Sequence, residues 1–377
     1  GTTARGALPG ARTGSSTSRP ASSTSRIPRI PYRWAPKMVM KTANMVGAKK
    51  LTARPVVAYS PNSSASSPAG ASRARKARDA DWAGLRVVVT GIGLSGFSAA
   101  DTLVELGARF SLAEMIRSGT TAFYDMYMIE DAVFRAADSM GMRAVLGESI
   151  TQFFPSLSCK DKEAYFELVR AQADAWRNHP RIRQAIVPHA PYTTNPELLR
   201  ECYALAEENG ALFGMHLAET RGETDTCLQQ FGKRPIDYCH SLGLLSPIST
   251  FFHVVEANEE EMALLASTGS AVVHNPASNM KLASGAARID DMRRAGVCVG
   301  LGTDGPASNN AQNMVREMYV ASLLQKVHHL SPTACPAQAA LDMATRGGAA
   351  ALHDPYIGTL EPGMRADFIA LSLESPN

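Results

Sequence analysis

Four histidines and one aspartate each sit at the close of an apolar run. His189 ends Gln184-Ala-Ile-Val-Pro-His and His216 ends Ala211-Leu-Phe-Gly-Met-His. His253 lies in Thr250-Phe-Phe-His-Val-Val, His274 ends Ala271-Val-Val-His, and Asp304 follows Cys298-Val-Gly-Leu-Gly-Thr. Neutral imidazoles combined with a carboxylate suit Zn2+ or Fe2+. A metal so held lowers the pKa of its bound water to about 7 and makes hydroxide available at neutral pH. Glu219 follows His216 by three residues. That position suits general acid–base work, and it equally suits an exposed glutamate favouring the first turn of the next helix. His179, His240, His328, His329 and His353 fall in turn, helix or loop contexts that predict solvated or packing roles.

Such side chains meet only if the apolar runs lie side by side. Strands are predicted near 120–125, 143–147, 183–188, 212–217, 250–255, 271–275 and 298–302. Helices are predicted near 130–140, 161–178, 195–209, 223–240, 258–268, 287–295 and 311–325. This alternation points to parallel α/β structure. A further β-branched run, Val87–Thr90, would bring the strands to the eight of a (β/α)8 TIM barrel, whose active sites lie where the strand C-termini converge.

Five segments carry a resemblance: Ser118-Gly-Thr-Thr-Ala-Phe-Tyr-Asp-Met-Tyr, Pro188-His-Ala-Pro-Tyr-Thr, His216-Leu-Ala-Glu-Thr, His274-Asn-Pro-Ala-Ser-Asn-Met-Lys-Leu and Gly302-Thr-Asp-Gly-Pro-Ala-Ser-Asn-Asn. From about 111 to 371 the chain resembles the metal-dependent amidohydrolase superfamily, in the branch of the methylthioadenosine/S-adenosylhomocysteine deaminases and triazine hydrolases. The resemblance implies that His216, His253 and Asp304 bind the metal, with Asp304 binding it or taking the proton from its water. It implies that Glu219 shuttles protons to the ring nitrogen under attack and that His189 contacts substrate. His274 and Asn275 would line the pocket floor. Some members place an arginine after the second of these strands. Gly147-Glu-Ser stands there instead, and Arg143 is the alternative, with packing at the core edge as its other reading.

The chain departs from that pattern at both ends. The superfamily's first strand carries a His-x-His pair, and none occurs in this sequence. Losing two ligands should weaken metal affinity by at least the roughly 10–100-fold typical of changes one shell out. In its place, 84–110 hold a β-branched run, Gly91-x-Gly93-x-x-Gly96 and an amphipathic stretch, which resembles the opening of the MurD-like ligases. A nucleotide unit needs a second strand with an acidic residue about 20 positions on. A helical segment follows instead, so no nucleotide cofactor is expected. Residues 351–377 read as the start of a C-terminal β element, and the superfamily's accompanying β-sandwich is expected to be largely missing.

Charge sets 1–80 apart. The 377 residues hold 38 basic and 35 acidic side chains, yet none of the acidic ones precedes Asp79. Fifteen basic residues lie before it, so the remainder has 23 basic against 35 acidic, a charge of −12. The Ser-, Arg- and Pro-rich composition predicts a disordered leader and is also that of an organelle transit peptide. Without interleaved aromatics it gives little support to nucleic-acid binding. No apolar run approaches the ~18 residues of a membrane span. Six scattered cysteines without a CxxC pair read as reduced thiols of a cytoplasmic protein, or an organellar one if the leader directs import. The expected function is hydrolytic deamination of an adenine-type nucleoside, with a small-molecule substrate, water and a homo-oligomer as partners. A catalytically inactive binding protein and a hydrolase of another aminated or halogenated heterocycle are the alternatives.

Overall fold

A computed structural model describes residues 94–371, with side chains from Asp101 onward. The leader over 1–80, the run Val87–Thr90 and the glycine turn lie outside the described residues. Seven strands form one parallel sheet in chain order: β1 (Ala122–Tyr127), β2 (Arg143–Ile150), β3 (Ile182–Pro188), β4 (Leu212–Leu217), β5 (Ser249–His253), β6 (Ala271–His274) and β7 (Cys298–Leu301). All seven strands expected between 120 and 302 are present. Helix α1 (Leu94–Ser118) leads into β1. Then α2 (Glu130–Met140), α3 (Lys162–Trp176) and α4 (Pro196–Asn209) follow β1, β2 and β3 in turn. Two helices follow β4, namely α5 (Arg221–Phe231) and α6 (Pro235–Ser241), and α7 (Glu259–Thr268) follows β5.

Local chemistry sets the helix limits. In α4 the Asn195 side chain accepts from Leu198 N, Pro196 opens the first turn, and Gly210 closes the last at φ 61°. Asn258 and Glu261 form a reciprocal capping box at the start of α7. The single helix expected over 223–240 is divided, because Gly232 takes φ 67° and Pro235 opens a new helix.

The sheet curls. Tyr124 on β1 meets Phe252 on β5 edge-on, with ring centroids 5.1 Å apart, although four strand steps separate them. Gly214 on β4 makes room for this, because a Cβ there would collide with the Tyr124 hydroxyl. The alternate residues Phe213, Met215 and Leu217 face the surrounding helices and join the main core with Phe251, Leu199 and Leu265. Successive side chains of β4 thus serve two layers, a core outside and a mouth inside.

Pro276–Lys281 (α8) and Ile289–Arg294 (α9) lie between β6 and β7, and Pro306–Asn309 (α10), Met314–His328 (α11), Ala337–Asp342 (α12) and Gly348–Ala351 (α13) follow it. The apolar strand expected near the C-terminus is not formed among the described residues. From 352 to 371 the backbone is turn and irregular, Phe368 and Leu371 are exposed, and the segment is tied down by an ion pair from Asp367 to Arg143 Nε at 2.7 Å. A strand exists only with a ladder partner, and among the described residues none pairs with this segment.

Glu130, at the start of α2, is fully buried with no hydrogen-bond partner on either oxygen. Burial, and then the charges of Asp125 and Glu148, push its carboxyl well above the usual 4.5. The folded state therefore holds this proton more tightly than the unfolded chain does. Wild type loses stability as pH rises past about 4.5, by about 1.4 kcal/mol per pH unit until the folded pKa is reached. Glu130→Gln removes that dependence, so the melting temperature of the variant relative to wild type should climb as pH rises above about 4.5. A difference that stays flat with pH would show Glu130 to be ionised in the fold.

Candidate active site

The C-terminal ends of β3 to β7 bring together His189, His216, His253 and Asp304. The His189 and His216 ring centroids are 5.1 Å apart, and those of His216 and His253 are 5.3 Å apart and nearly parallel. His216 points inward by the two-residue alternation of β4. His253 shares the parity of the outward-facing Phe251, and its backbone resolves the conflict by taking φ 73°, which ends the strand and turns the imidazole to the mouth. Ala218, Val254 and Asp304 also have positive φ, at 51°, 45° and 58°. Strain of about 1–3 kcal/mol per such residue is typical of functional positions held by their surroundings.

Hydrogen bonds fix each ring. The His216 Nδ1–H donates to the His189 carbonyl at 3.1 Å, so Nε2 keeps its lone pair. His253 Nδ1 lies 2.8 Å from Asn279 Oδ1, and His189 Nδ1 lies 2.9 Å from Thr193 Oγ1. Burial, then His253 and His189, push His216 down to about 3, and burial likewise lowers His189. These imidazoles are neutral at pH 7. Burial pushes the Asp304 carboxyl up, but His253, the hydroxyls of Ser278 and Ser308, and the Gly305 N–H together hold it below the usual aspartate value. Ser278 Oγ donates to Asp304 Oδ2 at 2.6 Å.

Glu219 accepts from Ser284 Oγ at 3.0 Å, and its Oε1 lies 3.9 Å from His253 Nδ1. Its backbone N–H and that of Ala218 donate to the Glu223 carboxylate, each at 2.8 Å. Glu219 therefore stands within reach of the histidines. His274 is fully buried at the end of β6, with neither ring nitrogen hydrogen-bonded, and burial pushes it down to about 3. Asn275 is buried beside it, where Gly302 leaves space that a Cβ would fill.

Arg143 is not brought to the mouth. It is the first residue of β2, at the opposite end of the sheet, where it pairs with Asp367 and donates to the Pro180 carbonyl. Sequence reasoning also passed over Asn279, Ser278, Ser284 and Glu223. The first two lie in the quoted His274-Asn-Pro-Ala-Ser-Asn segment, whose polar pattern was the available signal.

The donor chemistry of His216, His253 and Asp304 is that of a divalent-cation site. Even so, among the described residues no three His, Cys, Asp or Glu groups are arranged to hold a metal ion. The three predicted ligands share a mouth without forming a closed cradle.

The sequence model of the amidohydrolase family matches residues 68–377. The chain belongs to the amidohydrolase family. It is 55% identical over 275 residues to a 5-methylthioadenosine/S-adenosylhomocysteine deaminase of Nitratidesulfovibrio vulgaris, covering 73% of this chain and 62% of that protein. A deaminase of the same description from Lawsonia intracellularis is 49% identical over 265 residues, covering 70% and 60%. An adenosine deaminase from Xanthomonas campestris, solved with bound zinc, superposes with a TM-score of 0.69 at 35% identity, covering 72% of this chain and 62% of that one. This amidohydrolase thus spans about three fifths of the length of these relatives. The zinc-bound neighbour supports a divalent metal as the cofactor of this kind of site.

Proposed function

We propose that this amidohydrolase is a hydrolytic deaminase of adenine-type nucleosides, with methylthioadenosine and adenosine as its substrates ahead of S-adenosylhomocysteine. The observation that carries this reading is the placement of Glu219 beside His253 at a mouth shared with neutral His189 and His216 and ionised Asp304. The similarity to methylthioadenosine/S-adenosylhomocysteine deaminases supports it.

The overall reaction replaces the exocyclic amine by oxygen: ring C–NH2 and water give C=O and NH3. A proton must leave the water and reach the ring nitrogen or the departing amine. Glu219, anchored by Ser284 and by its own N–H, is the group placed to carry it. His189 Nε2 is free to meet the substrate, because Nδ1 is engaged by Thr193. The homocysteine carboxylate would call for a cation, and Arg143 stands at the far end of β2, which favours substrates without that group.

Zn2+ is the proposed metal ahead of Fe2+, with His216, His253 and Asp304 as donors from this chain. Because the described donors form no closed set, the protein should purify with well under one zinc per chain. Elemental analysis after dialysis, with and without added Zn2+, checks this. Purified protein is then given methylthioadenosine or adenosine with Zn2+, and the adenine-to-hypoxanthine absorbance change and released ammonia are followed. Substrate loss with matching ammonia is the expected result. Protein with a normal melting transition that releases no ammonia from either nucleoside would overturn the enzymatic reading and leave a binding protein.

A further inference from the structure

At the end of the sheet away from the histidines, the starts of β2 and β3 and the end of α13 enclose a cavity of about 80 Å3. Four arginines line it, Arg143, Arg181, Arg183 and Arg365, with Asp354 as the one carboxylate in the lining. Two further carboxylates stand behind it. Arg143 pairs with Asp367 at 2.7 Å and Arg181 with Asp138 at 2.8 Å, while Arg365 pairs with Asp354. These pairings leave one guanidinium over. Among the described residues no carboxylate comes within ion-pair distance of Arg183, whose Nη1 donates only to the carbonyls of Leu352 and His353, at 3.2 and 2.8 Å. The Arg181 Nε is buried without an acceptor. His179 adds no charge. Its Nδ1 accepts from Ile182 N at 3.0 Å, so Nε2–H donates to Asp138.

We propose that this arginine-lined pocket binds a small oxyanion, with phosphate as its tetrahedral form, held by Arg183. A guanidinium offers five donors in a fixed planar fork matched to phosphate oxygens. The leftover positive charge lines a cavity of ionic dimensions. From Ile182 to His189 the chain climbs about 23 Å at 3.3 Å per residue, so this pocket is separate from the catalytic mouth. The bound anion would tie the irregular segment after α13 to the first residues of β2 and β3.

The test is a thermal melt and a calorimetric titration of the full chain with potassium phosphate, ionic strength being held constant with KCl. A phosphomonoester is titrated in parallel to separate free phosphate from a metabolite's phosphoryl group. Saturable binding of either is expected, with the melting temperature rising by roughly 2–5 °C at tenfold excess over Kd. Arg183→Gln, at an exposed residue, should abolish the shift while leaving deaminase turnover unchanged, and Arg183→Lys should weaken it, because the fork is lost and the charge kept. No saturable shift in wild type with either compound, or the same shift in Arg183→Gln, would overturn the proposal and leave the arginines as an ion-paired floor.

Discussion

Glu219→Gln is expected to lower the turnover of methylthioadenosine by about 10²–10⁴-fold, the range that general acid–base catalysis contributes. The substitution keeps size and shape. The amide oxygen still accepts from Ser284 Oγ, and the backbone N–H of residue 219 still donates to Glu223, so the melting temperature should hold. What disappears is a group that can take and return a proton beside His253. If Glu219 were only a glutamate favouring the first turn of α5, the variant would lose no more than about 0.3–1 kcal/mol of stability and keep its rate. Measuring kcat across pH separates the two readings. A proton carrier leaves a pH-dependent limb in wild type that the variant lacks, whereas equal kcat at every pH would sink the assignment.

The mouth around Glu219 shows where sequence reasoning reaches and where it stops. His216 was legible because β4 alternates cleanly: Phe213, Met215 and Leu217 belong to the outer core, which leaves His216 on the inner face. Position along the strand was equally informative, since parallel strands present their C-terminal ends at one mouth. That same rule excludes Arg143, which opens β2 instead of closing it. Its assignment came from the chemistry of one substrate and not from its place on the strand. Asn279 and Ser278 could not be ranked, because polar residues just after a strand read as loop or helix cap whether or not they touch an imidazole. Their roles depend on a short helix, Pro276–Lys281, that turns Asn279 to His253 and Ser278 to Asp304. Nor does apolar periodicity anticipate the positive φ of His253, which only the competition between the outer core and the mouth explains.

That competition is sharpest at the neighbouring phenylalanines of β5, and Phe251→Ala is expected to cost about 3–5 kcal/mol, as truncation of a buried aromatic does. Phe251 is completely buried among the residues between sheet and helices, and the void left there has no access to water. Phe252, one residue on, faces the other way. Its ring lies edge-on to Tyr124 at 5.1 Å and 6.0 Å from the His216 ring. Phe252→Ala should therefore fall at the lower end of the same stability range, because water from the mouth can enter the vacated space. Its larger consequence is kinetic. His216 and Tyr124 lose the surface that positions them, and misplacement by about 1 Å can cost on the order of 100-fold in rate. Urea melts paired with kcat per folded molecule check both halves. Phe251→Ala should unfold at lower urea yet keep its kcat where folded, and Phe252→Ala should lose kcat out of proportion to its stability. If both variants lost activity only as they lost folded protein, β5 would not divide its two faces between core and site, and the inward orientation of His216 would need another cause than strand parity.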